Sequence, residues 1–470
     1  MSASLIAKLR HSQLGLCELV RVEATDWIIR VQANGNHYRV SPERRGEFEP
    51  VRESVGPTSA FEIKQRVQRQ ENLGRRNDST SRNARRVIES LRVGLPSLDG
   101  STRRLAVGFT EMESLINSFL HDIDSDGGGA MIMKGAYGQG KTFSMTMLES
   151  IAHDFGFITV RTEIDATENQ LNKPHHIYHD MMRHMRLPGS NSMGILELAL
   201  KTHDLIRQQA PRSQAERERW LQEHVQCFPL AWLLSDPVFV TKEPLLGLLA
   251  GDPNVPARVG RQSHVALPQP NRWPAFNAAT QGDFASFLIS GIGRLARLLG
   301  YKGLLVIMDE MEKWNQLNWN EQCRAGNLLG GLIWGATAEE GRRGRNDNPR
   351  ILTHSRRCNG YPFTTTSRNY VGVAIAMTPR EHDNPERLWS QYGPILIGEI
   401  QPFTERRLSQ YCKLVMPLAA AAYGLTPPTD EELEEISSEA SRMWRNQGDM
   451  TTRSGVQAAI AAFDNWRDWS

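Results

Sequence analysis

Residues Gly135–Thr142 read GAYGQGKT, a complete match to G-x-x-x-x-G-K-[ST]. Each position has a physical reason. Gly138 and Gly140 permit backbone geometry closed to other residues, so successive N–H groups can turn inward onto an anion. Lys141 supplies a charge for the β and γ phosphates, and the Thr142 hydroxyl can coordinate Mg2+. Gly135, Ala136, Tyr137, Gln139 and Phe143 complete the candidate loop. An apolar AMIM precedes it and FSMTMLESIAHDF follows. Those are the strand and helix the chemistry needs, because the helix N-terminus faces the same anion. An ordinary glycine turn is the alternative reading.

A nucleotide site of this kind needs a second element, a carboxylate at the end of a neighbouring strand. LLVIMDE supplies one. Asp309 can hold Mg2+ through water, and Glu310 can orient and deprotonate the attacking water. Glu312 either pairs with a cation or faces solvent, and solvent is the simpler expectation.

The elements that must position these residues follow from pattern. Strands AMIM, GFITVRTEID, KGLLVIMDE and YVGVAIAMT alternate with helices, which implies a mostly parallel sheet covered on both faces. TEMESLINSFLHDI reads as an amphipathic helix with a Thr110–Glu113 capping box. Residues 187–297 read as a helical insertion. QPFTERRLSQYCKLVMPLAAAAYG, DEELEEISSEA and TTRSGVQAAIAAFD read as helices of a C-terminal lid, 401–470, after an ATPase core of 88–400. At the other end, residues 1–58 alternate apolar and polar positions around an Asn34-Gly35 hairpin signal, as in a small β-barrel. There LRHSQLGLCELVRV resembles the start of the SH3/Tudor-like barrels appended to some superfamily 1 helicases, although Cys17 stands where a second glycine is usual. Such a barrel serves either structure alone or partner and nucleic-acid binding. Residues 59–87 form a basic connector.

Composition narrows the class. The chain has 470 residues, 40% hydrophobic and 23% charged, which is a soluble globular balance with room for two or three domains. No apolar run approaches the roughly 18 residues that span a bilayer, and no signal peptide is read. Five scattered cysteines without a CxxC pair argue for a reducing compartment, hence a cytoplasmic location without membrane attachment, and against structural zinc. Net charge is only +2, yet residues 64–86 carry eight Lys/Arg against two acids, and 342–368 carry seven Arg against one Asp. Lys64, Arg75, Arg76, Arg342, Arg343, Arg345, Arg356 and Arg357 are therefore candidate DNA contacts, with Tyr361 or Phe363 able to stack on bases. Solvated linkers are the alternative for both segments. His175, His176 and His179 in HHIYHD read as helix-surface histidines, since no Cys or carboxylate pattern completes a metal site.

Together RRVIESLRVGLP, VGFTEMESL, MKGAYGQGKTF, ITVRTEIDATENQLNKPHHIYHDMM, LLVIMDE, AMTPRE and MTTRSGVQAAIAAFD resemble the P-loop ATPases of BREX phage-defence loci, of the BrxD type, over roughly residues 86–465. The resemblance implies an α/β fold: an AAA+-like P-loop NTPase with a parallel sheet and C-terminal helical lid, preceded here by the small β-barrel. It implies ATP with Mg2+ as cofactors, ATP hydrolysis, and Walker A and Walker B roles for the two motifs above. Thr378 matches the sensor-1 position of AAA+ ATPases, with a plain strand cap as the alternative. Arg453 stands where initiator and STAND branches carry a sensor-2 arginine, or is simply a helix-surface residue. Arg380 or Arg387 could act in trans as an arginine finger, or both are surface arginines. The preference for ATP over GTP rests on the resemblance. The implied role is anti-phage defence on DNA beside a helicase or nuclease, with homo-oligomerisation on ATP binding. A STAND-like sensor that uses ATP as a latch and recognises a protein is the second reading.

Overall fold

A computed structural model describes residues 8–11, 15–23, 26–31, 37–41, 48–50, 81–94, 101–190, 192–211, 213–236, 239–241, 243–253, 255, 281–337, 368–379, 387 and 389–469. The chain forms two compact units, Met1–Asp78 and Ser79–Ser470.

In the first unit the alternating segments become β1 (Lys8–His11), β2 (Gly15–Glu23), β3 (Asp26–Val31), β4 (His37–Val40) and β5 (Phe48–Pro50). They pair antiparallel in the order β4-β3-β2-β1-β5. The β2–β3 register shifts between Leu19 and Arg21, a bulge that bends the sheet. The pairings among the described residues define a sheet and do not close it into a barrel. The Asn34-Gly35 turn and most of the basic connector lie outside the described residues.

The second unit is built on a parallel sheet. Its strands are β6 (Gly128–Lys134), β7 (Ile158–Glu163), β8 (Leu304–Asp309), β9 (Val371–Met377) and β10 (Leu396–Glu399), in the order β10-β6-β9-β8-β7. All four pairings are parallel. The mixed α/β architecture is consistent with a P-loop NTPase-like fold. β8 and β9 are buried along their whole length, which is why LLVIMD and VGVAIAM read as continuous apolar runs.

Period-two alternation sends successive strand residues to opposite faces. Met131, Met133, Leu305 and Ile307 pack beneath α2 (Thr110–Asp126) and α3 (Lys141–Phe155). Ile132, Val160, Leu304, Val306 and Met308 join the larger core on the other face. That core is covered by α4 (Pro174–Arg183), α9 (Gln281–Leu298) and α10 (Trp319–Thr337). The insertion helices α5 (Ile195–Gln209), α6 (Gln214–Val225), α7 (Phe228–Ser235) and α8 (Glu243–Leu249) extend it.

A third core belongs to the C-terminal helices α11 (Glu405–Tyr423), α12 (Asp430–Asn446) and α13 (Thr452–Trp469). Helix α1, residues 81–92, joins them through Ala84, Val87, Ile88 and Leu91. Arg92 ties it down, bonding Asp464 of α13 and donating to the Tyr423 hydroxyl at 2.9 Å. A helix early in the second unit thus packs with the lid.

One expectation is corrected. Thr110 does not cap α2: the N-cap is Phe109, already helical at φ −95°, ψ −5°, and no side-chain cap bond forms. Arg103 takes Glu113 instead, at 2.9 Å, so the box loses its closing residue. By contrast Thr429 and Glu432 do form a reciprocal capping box on α12.

The histidines of HHIYHD lie on α4, and among the described residues no group of three His, Cys, Asp or Glu could hold a metal. His175 is held down at about 4, chiefly by burial, helped by the neighbouring His176 and His179. Burial also lowers His153 and His176.

Two predictions follow from this packing. At Gly128 an added Cβ would lie 2.0 Å from the Ala336 carbonyl oxygen, a backbone atom in the last turn of α10. Gly128→Ala should cost about 1–3 kcal/mol, the range of core overpacking, and lower the urea midpoint with unchanged slope. An unmoved midpoint would mean that β6 can slide away from α10. For His175 the folded form resists the proton that the unfolded chain accepts near the ordinary value of 6.5. Its contribution to stability is therefore complete above pH 6.5 and lost as pH falls toward 4. The stability gap between wild type and His175→Gln should narrow over that window; a constant gap would contradict it.

Candidate nucleotide site

Between Lys134, the last residue of β6, and α3 the chain folds into a tight loop. Gly138 and Gly140 have φ of +74° and +96°, and Gly140 is the N-cap of α3. Glycine takes this left-handed geometry without a Cβ penalty. Gln139 closes the loop, accepting the Ala136 N–H on its side-chain oxygen at 2.8 Å while its own N–H reaches the Ala136 carbonyl at 3.2 Å. Lys141 is only 6% exposed. Its Nζ donates to the Gly135 carbonyl at 3.2 Å and to Thr378 Oγ1 at 2.8 Å, and lies 3.8 Å from Glu312. Thr142 and Phe143 are half-buried in the first turn of α3.

The sheet order sets β9 between β6 and β8, so Thr378, the residue after β9, lies between the phosphate loop and the acidic strand end. β8 delivers Asp309 at its last position, 1% exposed. One Asp309 oxygen accepts the Glu310 N–H at 3.0 Å, and the other lies 3.3 Å from the Arg161 guanidinium. Arg161 comes from β7, also donates to Thr146 at 3.1 Å, and stands 3.7 Å from Glu149 of α3. The buried carboxylate is thus paired from behind.

Glu310 holds φ at +60°, a left-handed conformation that costs a non-glycine residue about 1–3 kcal/mol. The turn directs the chain into the 3-10 helix Met311–Gln316. Burial first, then the charges of Glu312 and Asp309, push the Glu310 carboxyl above its ordinary range, with Lys141 pulling the other way. A raised carboxyl is better matched to accepting a proton near neutral pH. Glu312 does not face solvent: its Oε1 accepts a hydrogen bond from Thr378 at 2.5 Å, beside Lys141. The cation-pairing alternative is the one realised.

The lid meets the loop directly. Thr451 and Ser454 cap α13 reciprocally, at 3.2 and 2.9 Å. The Arg453 N–H donates to the Gly138 carbonyl at 3.0 Å, and Thr452 Oγ1 donates to the Gln139 carbonyl at 3.2 Å. The Arg453 guanidinium lies over the Tyr137 ring, 5.5 Å from its centroid, and donates to the phenol at 3.2 Å. A cavity runs from the loop and Glu310 to an apolar wall that includes Leu91, Val107, Phe109, Phe403 and Val456. Phosphate-binding geometry at one end and an apolar wall at the other is the form of a pocket for a nucleotide.

The donor set also fits Mg2+. A hydroxyl at Thr142 and a carboxylate at Asp309, itself held by a backbone N–H and Arg161, are hard oxygen donors of the kind Mg2+ takes together with phosphates.

Other candidates are not brought to this site. Arg387 is exposed and does not line the cavity. Arg380 and the residues singled out for DNA (Lys64, Arg75, Arg76, Arg342, Arg343, Arg345, Arg356 and Arg357) lie outside the described residues, as do Tyr361 and Phe363. Sequence reasoning missed Arg161 and Glu149. A signal existed for the first: an arginine inside the apolar strand ITVRTE needs a buried anion.

Among the described residues no helix is long and apolar enough to cross a membrane. Comparison with curated proteins finds no match. Residues 80–223 match a family described as BREX system ATP-binding protein BrxC/D. The matched stretch contains α1, β6, the phosphate loop, α3 and β7, while Asp309, Thr378 and Arg453 lie beyond it. Over residues 80–223, less than half of the chain, the sequence is thus similar to this ATP-binding family of the BREX phage-defence system.

Proposed function

We propose that the protein is a Mg2+-dependent, AAA+-like ATPase that acts on or near DNA with a helicase or nuclease partner in anti-phage defence. The observation that carries the reading is the convergence of Lys141, Thr378, Asp309 and Glu310 at the carboxyl ends of the adjacent parallel strands β6, β9 and β8. Ligands of open parallel sheets bind at that edge. In this reading the loop residues Gly135–Phe143 wrap the phosphates and Lys141 neutralises the β and γ oxygens. Thr142 and Asp309 hold Mg2+, which when bound draws charge from the phosphate oxygens. Glu310 orients the attacking water and takes its proton, Thr378 senses the terminal phosphate, and Arg453 completes the pocket from the lid. Arg387 or Arg380 reaches a neighbouring copy's nucleotide in a homo-oligomer formed on ATP binding. The N-terminal unit, as a small barrel, and the basic segments 64–86 and 342–368 contact DNA or recruit the partner, and the protein works in the cytoplasm.

One observation favours the second reading, a STAND-like sensor. Arg453 and Thr452 hydrogen-bond the phosphate loop itself, so a nucleotide there would join core and lid as a latch. DNA separates the two. Steady-state ATP hydrolysis should be lost in Lys141→Ala, and should fall by about 100-fold or more in Glu310→Gln with ATP binding kept. In wild type it should rise with DNA, and the rise should fade with salt as counterion release predicts. Unchanged hydrolysis in Glu310→Gln would overturn the assigned base. A rate indifferent to duplex and single-stranded DNA would support the sensor.

A further inference from the structure

We infer that Glu312 is a positioning residue that competes with the terminal phosphate of ATP for Lys141 and Thr378, and thereby sets the balance between ATP and ADP. The inference rests on the nucleotide reading above and deepens it.

The direction of the hydrogen bonds is forced. An ammonium can only donate and a carboxylate can only accept. Lys141 therefore donates to Thr378 Oγ1 at 2.8 Å, and the Thr378 hydroxyl donates its one hydrogen bond to Glu312 Oε1 at 2.5 Å. That hydrogen bond is the one a sensor hydroxyl would offer to a phosphate oxygen. The Lys141 ammonium is likewise surrounded by protein: the Gly135 carbonyl at 3.2 Å, Thr378 at 2.8 Å, the Ala136 carbonyl at 3.5 Å and Glu312 at 3.8 Å. Glu312 thus holds Thr378, which the reading assigns to the terminal phosphate, and Lys141, which it assigns to the β and γ oxygens. Its contacts are with these two side chains and not with the loop amides that would carry the β-phosphate.

Glu312 is also placed to yield. Its second oxygen is buried without a hydrogen-bond partner, so the carboxylate is incompletely compensated where it sits. The 3-10 helix beneath it is anchored by buried Met311 and Trp314, the latter edge-on to Trp389 at 5.6 Å. Exchange is then a side-chain rotation on a held backbone. A γ-phosphate entering the site takes Lys141 and the Thr378 proton from Glu312 and repels the freed carboxylate. A diphosphate meets only the Lys141 part of that competition, because it has no terminal phosphate for Thr378.

Two substitutions separate charge from hydrogen bonding. Glu312→Gln is isosteric and keeps an oxygen for Thr378 to donate to; Glu312→Ala removes both. Affinities for Mg2+ with AMPPNP and with ADP are measured by calorimetry, and kcat for ATP alongside. Both variants should bind AMPPNP about tenfold more tightly, the scale of one charge-assisted interaction returned to the ligand, with ADP tightened less than about threefold. With ATP bound Thr378 donates to the phosphate in either variant, so Glu312→Ala and Glu312→Gln should agree in kcat within about twofold. A purely structural role would move both nucleotides together. An AMPPNP-to-ADP ratio unchanged within twofold in Glu312→Gln overturns the inference alone. A wild type that binds neither nucleotide overturns it together with the nucleotide reading.

Discussion

An ammonium group cannot be buried without partners, and the organisation of this site follows from that constraint at Lys141. The side chain is almost wholly covered. Its partners come from three separate segments: the Gly135 carbonyl after β6, the Thr378 hydroxyl after β9, and Glu312 on the 3-10 helix after β8. Satisfying one cation therefore fixes the relative positions of the glycine-rich loop, the end of β9 and the acidic strand end. The same logic holds one layer back, where Arg161 stands between Asp309 and Glu149 and keeps two buried carboxylates from being uncompensated.

The sheet makes such precision possible. β8 and β9 are apolar and buried until their last residues, so chemistry begins only where the packing ends. The lid is different. Its helices and α1 have a core of their own, separate from the two that sandwich the sheet. Across the cavity the polar contacts between lid and phosphate loop are few: Arg453 and Thr452 on loop carbonyls, and Arg453 on Tyr137. A body with its own core, joined by a handful of exchangeable hydrogen bonds, can change position without unfolding. A ligand bound in the cavity would be read by both bodies.

What the sequence made legible were features with a local physical cause. The phosphate loop declares itself because only glycine tolerates the φ of +74° and +96° found there. β8 and β9 declare themselves because a doubly covered parallel strand is uniformly apolar. Helix α13 was readable from the periodicity of TTRSGVQAAIAAFD, and Thr451 caps it. What was not legible were pairings set by tertiary approach. Glu312 follows two acids in sequence and looks solvated, but the 3-10 turn after the left-handed Glu310 swings it back toward Lys141. Thr110–Glu113 has the letters of a capping box, but Arg103 claims the glutamate. The packing of α1 with α13 rests on Arg92 and Asp464, which are 372 residues apart.

The large separation between the phosphate loop and its acids has a simple structural resolution. β7 and β8 pair in register from Ile158–Leu304 to Glu163–Asp309, although well over a hundred residues of helical insertion separate them in sequence. The chain leaves the carboxyl end of β7 and returns to the amino end of β8, as the connection between parallel neighbours must. The helices of the insertion extend only the core on the face opposite α2 and α3. The insertion can therefore vary in length and surface while Asp309 stays beside Glu163. This explains how a family match that ends at residue 223 can be continuous with an acidic site that begins at 309. The matched stretch and the acids are neighbours through hydrogen bonds of the sheet, and the intervening chain is free to serve another purpose.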